Sequence, residues 1–363
     1  MPIPGSSETR VVIVDDSASA RHMLSALLQS ASEMSVVGVA TEGQDGVHLV
    51  SRLRPDVVLM DIAMPGMDGL AATRAIMDQA PTPIVIVSSS LTRRDVDLTF
   101  QALEAGALTV VRKPGLNDPQ TCEHILEVIR LMSRVPVGSK ETDADSNVQR
   151  VPVQLPALSK HHGIQVIGIA SSTGGPAALA EVLGALPASY PVPILGVPQI
   201  AKGFSGGLAD WLDSQTALKV DIAGHGQAPQ PGSFLLPPSD YHMQVNAWGL
   251  IELSKTPPVN GIRPSANVLF QSLANNYGPR AAGIVLSGMG NDGTEGMQAL
   301  RQAQGLTVVQ NKESSVAYSM PQAVVLRSAA DYVLAPLEIA ALLRTLHRTD
   351  IASDGATEST ADV

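Results

Sequence analysis

Residues Val166–Pro176 read VIGIASSTGGP. An apolar strand-like run passes without a spacer into two serines, a threonine, a glycine pair and a proline, followed by a helical pattern over 176–185. A strand that breaks this way into a helix start is the βα unit of a parallel sheet, with a hydroxyl and free backbone N–H groups at the helix N-terminus. Three roles are open to those hydroxyls: helix N-cap, phosphate cradle, or a nucleophile with its oxyanion donors. No GxxxxGK[ST] pattern follows, which weighs against the phosphate cradle.

The same alternation extends in both directions. Downstream lie PILGVP at 193–198, AAGIVL at 281–286 and LTVV at 306–309, interrupted by a β-rich insertion around SFLLPP and MQVNAWGLIEL. Upstream, VVIV at 11–14, VVGV at 36–39, VVLM at 57–60, IVIV at 84–87 and LTVV at 108–111 alternate with helix-length segments. The expected fold is α/β: two doubly wound parallel-sheet domains, the second Rossmann-like with a β-hairpin insertion. Domain one is expected over 9–132 and domain two over 161–348. The stretch 133–160 is polar, proline-containing and aperiodic, so it reads as a flexible linker. The small polar tail, 349–363, reads as disordered.

Composition narrows the setting. The 363 residues carry a formal charge of −10, which disfavours nucleic acid and anionic membranes as partners. No run of about 18 apolar residues is present, so no membrane insertion is expected. The single cysteine, Cys122, excludes an internal disulfide. With no signal-peptide pattern at the start, a cytoplasmic location is expected.

In open parallel sheets chemistry collects beyond the carboxyl ends of the strands. In the first domain those ends carry Asp15 and Asp16, then Asp61, Ser88 and Lys113. Clustered carboxylates repel unless a cation neutralises them, and an oxygen-only set suits Mg²⁺. Helix capping alone would explain one acid, but not the recurrence at successive strand ends.

These residues lie in VVIVDDS (11–17), PDVVLMDIAMPGMDGL (55–70), VSSSLT (87–92) and VRKP (111–114), which together resemble a response-regulator receiver domain. The resemblance implies that Asp61 accepts a phosphoryl group from a sensor histidine kinase. Asp15, Asp16, Asp61 and the backbone carbonyl of Ala63 would hold Mg²⁺, and Ser88 and Lys113 would engage the phosphoryl oxygens and signal outward. One departure is Val110, where receivers usually place an aromatic switch residue.

GIASSTGGP, RPSANVLFQSLA (263–274) and VLSGMGNDGTEGM (285–297) resemble the catalytic domain of chemotaxis protein-glutamate methylesterases, which follows a receiver in that family. The resemblance implies Ser172 as nucleophile and Asp292 as the carboxylate that orients a catalytic histidine, with no cofactor in this domain. The histidine itself is missing. The family's Gln-His-Met-Pro-like segment reads VPQIAKGF at 197–204, placing Gln199 in its position, and a neutral carboxamide accepts no proton near neutral pH. Nearby, Ile262 and Asn267 also depart from the family's His-Arg-Pro-Ser-Val-Asp. Of His225, His242 and His347, His242 is the best candidate for a substitute base, although a lone histidine in a β-rich insertion is more often a surface or packing residue. Two functions follow. One is a phosphorylation-controlled methylesterase, with possible glutamine deamidation, acting on methyl-accepting chemotaxis receptors. The alternative is a catalytically impaired relative that works as a phosphorylation-switched binding regulator.

Overall fold

The protein is described from a computed structural model covering residues 8–89, 92–115, 118–137 and 163–346. Most of the expected linker, the whole tail and His347 lie outside the described residues.

The first domain runs β1 (Thr9–Val14), α1 (Ala18–Gln29), β2 (Met34–Ala40), α2 (Gly43–Leu53), β3 (Val57–Met60), α3 (Gly69–Gln79), β4 (Ile84–Ser88), α4 (Arg93–Glu104), β5 (Thr109–Arg112) and α5 (Pro119–Met132). Its five parallel strands are ordered β2-β1-β3-β4-β5. The central strands are apolar on both faces because helices cover both, as a buried parallel sheet requires. α5 starts where Asp118 caps it, with Pro119 in the first turn, the arrangement that fixes a helix start.

The second domain runs β6 (Val166–Ser171), α6 (Gly175–Gly184), β7 (Ile194–Pro198), α7 (Ser205–Gln215), β8 (Lys219–Ile222), β9 (Ser233–Leu236), β10 (His242–Val245), β11 (Ile251–Ser254), α8 (Ala266–Asn276), β12 (Ala281–Val285), α9 (Thr294–Gln302), β13 (Leu306–Gln310), α10 (Ser319–Leu326), β14 (Tyr332–Leu334) and α11 (Pro336–Thr345). Its main sheet is ordered β14-β13-β12-β6-β7-β9-β8, all parallel. The expected insertion is therefore smaller than the sequence suggested. SFLL is β9, a member of the main sheet beside β7, and only β10 and β11 form a separate antiparallel hairpin. β8 and β14 are short edge strands whose patterns were too brief to read.

Strand order reverses direction between β1 and β3 in the first sheet and between β6 and β12 in the second. Each reversal opens a crevice beyond the strand ends, and both groups of candidate residues fall there.

The domains meet along α4 and α7. Phe100 stacks on Trp211 with centroids 5.7 Å apart. Gly207 sits so close to Val96 that a Cβ there would collide with it. Trp211 Nε1 is buried without an acceptor among the described residues, which makes the seam imperfectly satisfied and easier to release.

Candidate functional site

In the first crevice, ligand oxygens of Asp15, Asp16 and Asp61 lie within 4.8 Å of one another. None of the three caps a helix: Ser17 caps α1 and Asp68 caps α3. Helix capping therefore does not account for these acids; Asp15 instead accepts from Ser17 N at 2.9 Å and Asp61 from Ile62 N at 2.8 Å. Asp15 and Asp61 are nearly fully buried, at 1% and 5% exposure, while Asp16 and Ala63 face outward. Lys113 Nζ bridges Asp15 Oδ2 at 2.7 Å and Asp61 Oδ2 at 2.9 Å. Burial pushes the Asp61 carboxyl above its ordinary pKa, against the pull of Lys113. Burial also works against the Lys113 ammonium, but its bonds to Asp15 and Asp61 outweigh it and leave the pKa raised. Two buried carboxylates against one ammonium leave unbalanced negative charge, so the donor set fits a hard divalent cation. Ser88 is buried at the end of β4, where its carbonyl accepts from Lys113 N at 3.0 Å. Val110 is nearly buried on β5.

In the second crevice, β12, β6 and β7 lie side by side and deliver Asp292, Ser172 and Gln199 from their carboxyl ends. Backbone bonds tie the three exits together: Ser172 N donates to Ser287 O at 2.9 Å, and Gln199 N donates to Ser171 O at 2.7 Å. The N-cap of α6 is Gly174, which has no side chain, so the Ser172 and Thr173 hydroxyls do not cap this helix. Gly174 takes φ +75°, where a Cβ would also strike Val316 and Ser287. Gly288 lets the following loop press against Ser172, since a Cβ there would fall 2.9 Å from the Ser172 Cβ.

Asp292, 3% exposed, is held by four donors: Gln199 Nε2 at 2.6 Å, Ser265 Oγ at 2.7 Å, Ala266 N at 2.6 Å and Asn267 N at 3.2 Å. A carboxylate only accepts, so the Gln199 amide must present its nitrogen to Asp292. Asp292 also takes the first backbone N–H groups of α8, serving as that helix's anionic cap from across the fold. Ser265 at the start of α8 is therefore a site residue that sequence reading missed; its place just before the ANVLF helix pattern was the available signal.

His242 does not stand as a substitute base in this geometry. It is 0% exposed, its Nδ1 accepts from Ser265 N at 3.2 Å, and its Nε2 lies 3.3 Å from Pro257 O. Both ring nitrogens are committed to backbone, so the ring props Ser265, which in turn holds Asp292. His225 Nδ1 accepts from Leu253 N at 3.2 Å beside the hairpin.

A cleft of about 390 Å³ opens over Ser172 and Gln199. Its other wall is the first domain, through Val110 and Arg112 of β5 and Gln120, Thr121 and His124 of α5. Its charged lining is Arg112, Lys202 and Arg263, with no carboxylate, in a chain of net charge −10. Asp240, just behind, is held below the usual carboxylate range by hydrogen bonds from Arg263 and then Lys202.

An acidic crevice with a buried lysine in one parallel-sheet domain, joined to a serine-bearing crevice in a second, is the architecture of a response regulator with an attached α/β effector domain. Residues 167–343 match the family described as CheB methylesterase, and residues 11–125 match the response regulator receiver domain. The chain is 42% identical to protein-glutamate methylesterase/protein-glutamine glutaminase 4 of Myxococcus xanthus (strain DK1622), covering 93% of this chain and 97% of that protein. It is 40% identical to the protein of the same name from Geobacter metallireducens (strain ATCC 53774 / DSM 7210 / GS-15), covering 93% and 98%. The crystal structure of the Thermotoga maritima CheB methylesterase catalytic domain is 33% identical over 50% of this chain and 98% of that chain, with a TM-score of 0.49. The chain belongs to the CheB family of protein-glutamate methylesterases carrying a receiver domain. Among the described residues no helix is long and apolar enough to cross a membrane.

Proposed function

We propose that the protein is a phosphorylation-controlled methylesterase, with glutamine deamidation as a related activity, acting on the cytoplasmic helices of methyl-accepting chemotaxis receptors. The observation that carries this reading is the shared cleft, in which Ser172 lies under a wall built by the receiver's β5 and α5. Asp15, Asp16, Asp61 and the Ala63 carbonyl would hold Mg²⁺, whose charge offsets the phosphoryl oxygens during transfer from a sensor histidine kinase. A phosphoryl group on Asp61 adds roughly −1.5 to −2 charges. Lys113 and Ser88 would be drawn to it, and the strain passes along β4 and β5 to the α4–α7 seam, relieving the cover over Ser172. The cationic lining suits a glutamate-rich segment around the scissile ester.

A second reading, a binding regulator with impaired chemistry, is favoured by one observation: Gln199 fills the base's position and satisfies Asp292 without being able to take a proton. Methanol release from methyl-labelled receptor, with the full chain phosphorylated by a small phosphodonor in Mg²⁺, separates the two. The esterase reading expects release that Ser172→Ala abolishes. Release that is insensitive to Ser172→Ala overturns the serine assignment, and no release at all favours the regulator.

A further inference from the structure

We propose that His124, on the receiver's α5, supplies the general base that Ser172 lacks within its own domain. The inference rests on the esterase reading above. Gln120, Thr121 and His124 lie on one face of α5 by helical spacing, and that face lines the same cleft as Ser172 and Gln199. No other described histidine lines it. His242 and His225 have ring nitrogens committed to backbone groups, and His48 bonds Gln44 on α2. His124, by contrast, has neither ring nitrogen bonded to any described residue.

The cleft's surroundings also favour the basic form. Although part of the ring stays open to solvent, crowding by protein holds the His124 pKa below the usual histidine range, with Glu127 pulling weakly the other way. Arg112, Lys202 and Arg263 also line the cleft, the last two paired with Asp240. A neutral imidazole with a free lone pair is what a serine needs, and a base acts at hydrogen-bond distance or through one water.

The chemistry balances. As Ser172 Oγ bonds to the ester carbonyl carbon, its proton passes to the His124 ring, directly or through one water. The imidazolium returns that proton to the departing methoxy oxygen, which leaves as methanol. A water then adds to the acyl-enzyme, giving one proton to the ring; the ring returns it to Ser172 Oγ as the acyl C–O bond breaks, and the carboxylic acid that forms releases its remaining proton to solvent as the carboxylate. Relief by phosphorylation then means a widened cleft with the receiver still seated, since a departed receiver would take the base with it.

The test uses the full chain, phosphorylated by a small phosphodonor in Mg²⁺, with methyl-labelled receptor cytoplasmic fragment as substrate. His124→Gln should lower kcat by roughly 10² to 10⁴-fold, the usual contribution of a positioned base, with little change in KM. The double variant His124→Gln/Gln199→His should recover activity, because a base then stands beside Asp292. The parent's acid limb in the pH–rate profile should lie below about 6.5, the ordinary histidine value, and vanish in His124→Gln. Unchanged activity in His124→Gln, while Ser172→Ala abolishes release, overturns the proposal and leaves the esterase reading standing. If the parent releases nothing and Gln199→His alone switches activity on, the esterase reading of the parent fails, and His124 as base fails with it. Phosphodonor labelling at Asp61 in each variant confirms that the receiver is folded.

Discussion

The two crevices are built alike and filled differently. Each lies where strand order reverses in a parallel sheet, each holds a nearly buried aspartate, and each sets a positioned group against that aspartate within 3 Å: Lys113 on Asp61, Gln199 on Asp292. In the receiver the partner is a cation that leaves charge unbalanced and so calls for a metal. In the second domain the partner is a neutral amide, and the remaining donors come from the scaffold itself. A buried acid can therefore persist for two separate reasons. Asp61 is costly to the fold and would be explained by the phosphoryl transfer proposed for it; Asp292 caps α8, whether or not a base stands beside it.

The largest effect should come from Asp61→Asn, which removes the acceptor and should abolish labelling by a phosphodonor in Mg²⁺. Persistent labelling at another residue would erase the contrast between the two aspartates. Asp292→Ala should destabilise the second domain by about 3 kcal/mol, since it orphans a buried hydroxyl, an amide and two helix N–H groups. Denaturant unfolding that shifts by less than about 0.5 kcal/mol, the usual range of inconsequential substitutions, would show that the cap is idle. Trp211→Ala should weaken the α4–α7 seam and raise unphosphorylated methanol release a few-fold, because interdomain contacts of this kind are modest. No rise would show that the seam does not restrain the receiver. The smallest effect should be that of Val110→Tyr. It adds bulk to the receiver wall of the cleft and should change release by less than the seam variant does; a larger loss would make this wall, and not the seam, the controlling contact.

Most of the architecture was legible because periodicity and strand-end chemistry are local properties. VVIVDDS and VRKP announced both the strands and the residues at their ends. What escaped was set by contacts distant in the chain. SFLL looks the same whether it joins a hairpin or the main sheet, and only its neighbour β7 decides. His242 looked available in sequence, yet its two ring nitrogens are spent on Ser265 and Pro257, 23 and 15 residues away. The exposure of His124 to the serine cleft depends on how the two domains seat, which no local pattern encodes. Gln199 was visible directly, since a missing base is a property of one position.

The contact at Gly207 has a consequence of a mechanical kind. Because α7 offers no side chain there, Val96 of α4 settles against bare backbone, and this stop fixes how far apart the cleft's two walls stand. The gauge of the opening over Ser172 is thus set by a residue that touches neither wall. An alanine at Gly207 would act as a shim, spreading the walls and with them the reach from His124 on one side to Ser172 on the other. The width that admits a substrate and the span a proton must cross would then answer to the same small contact.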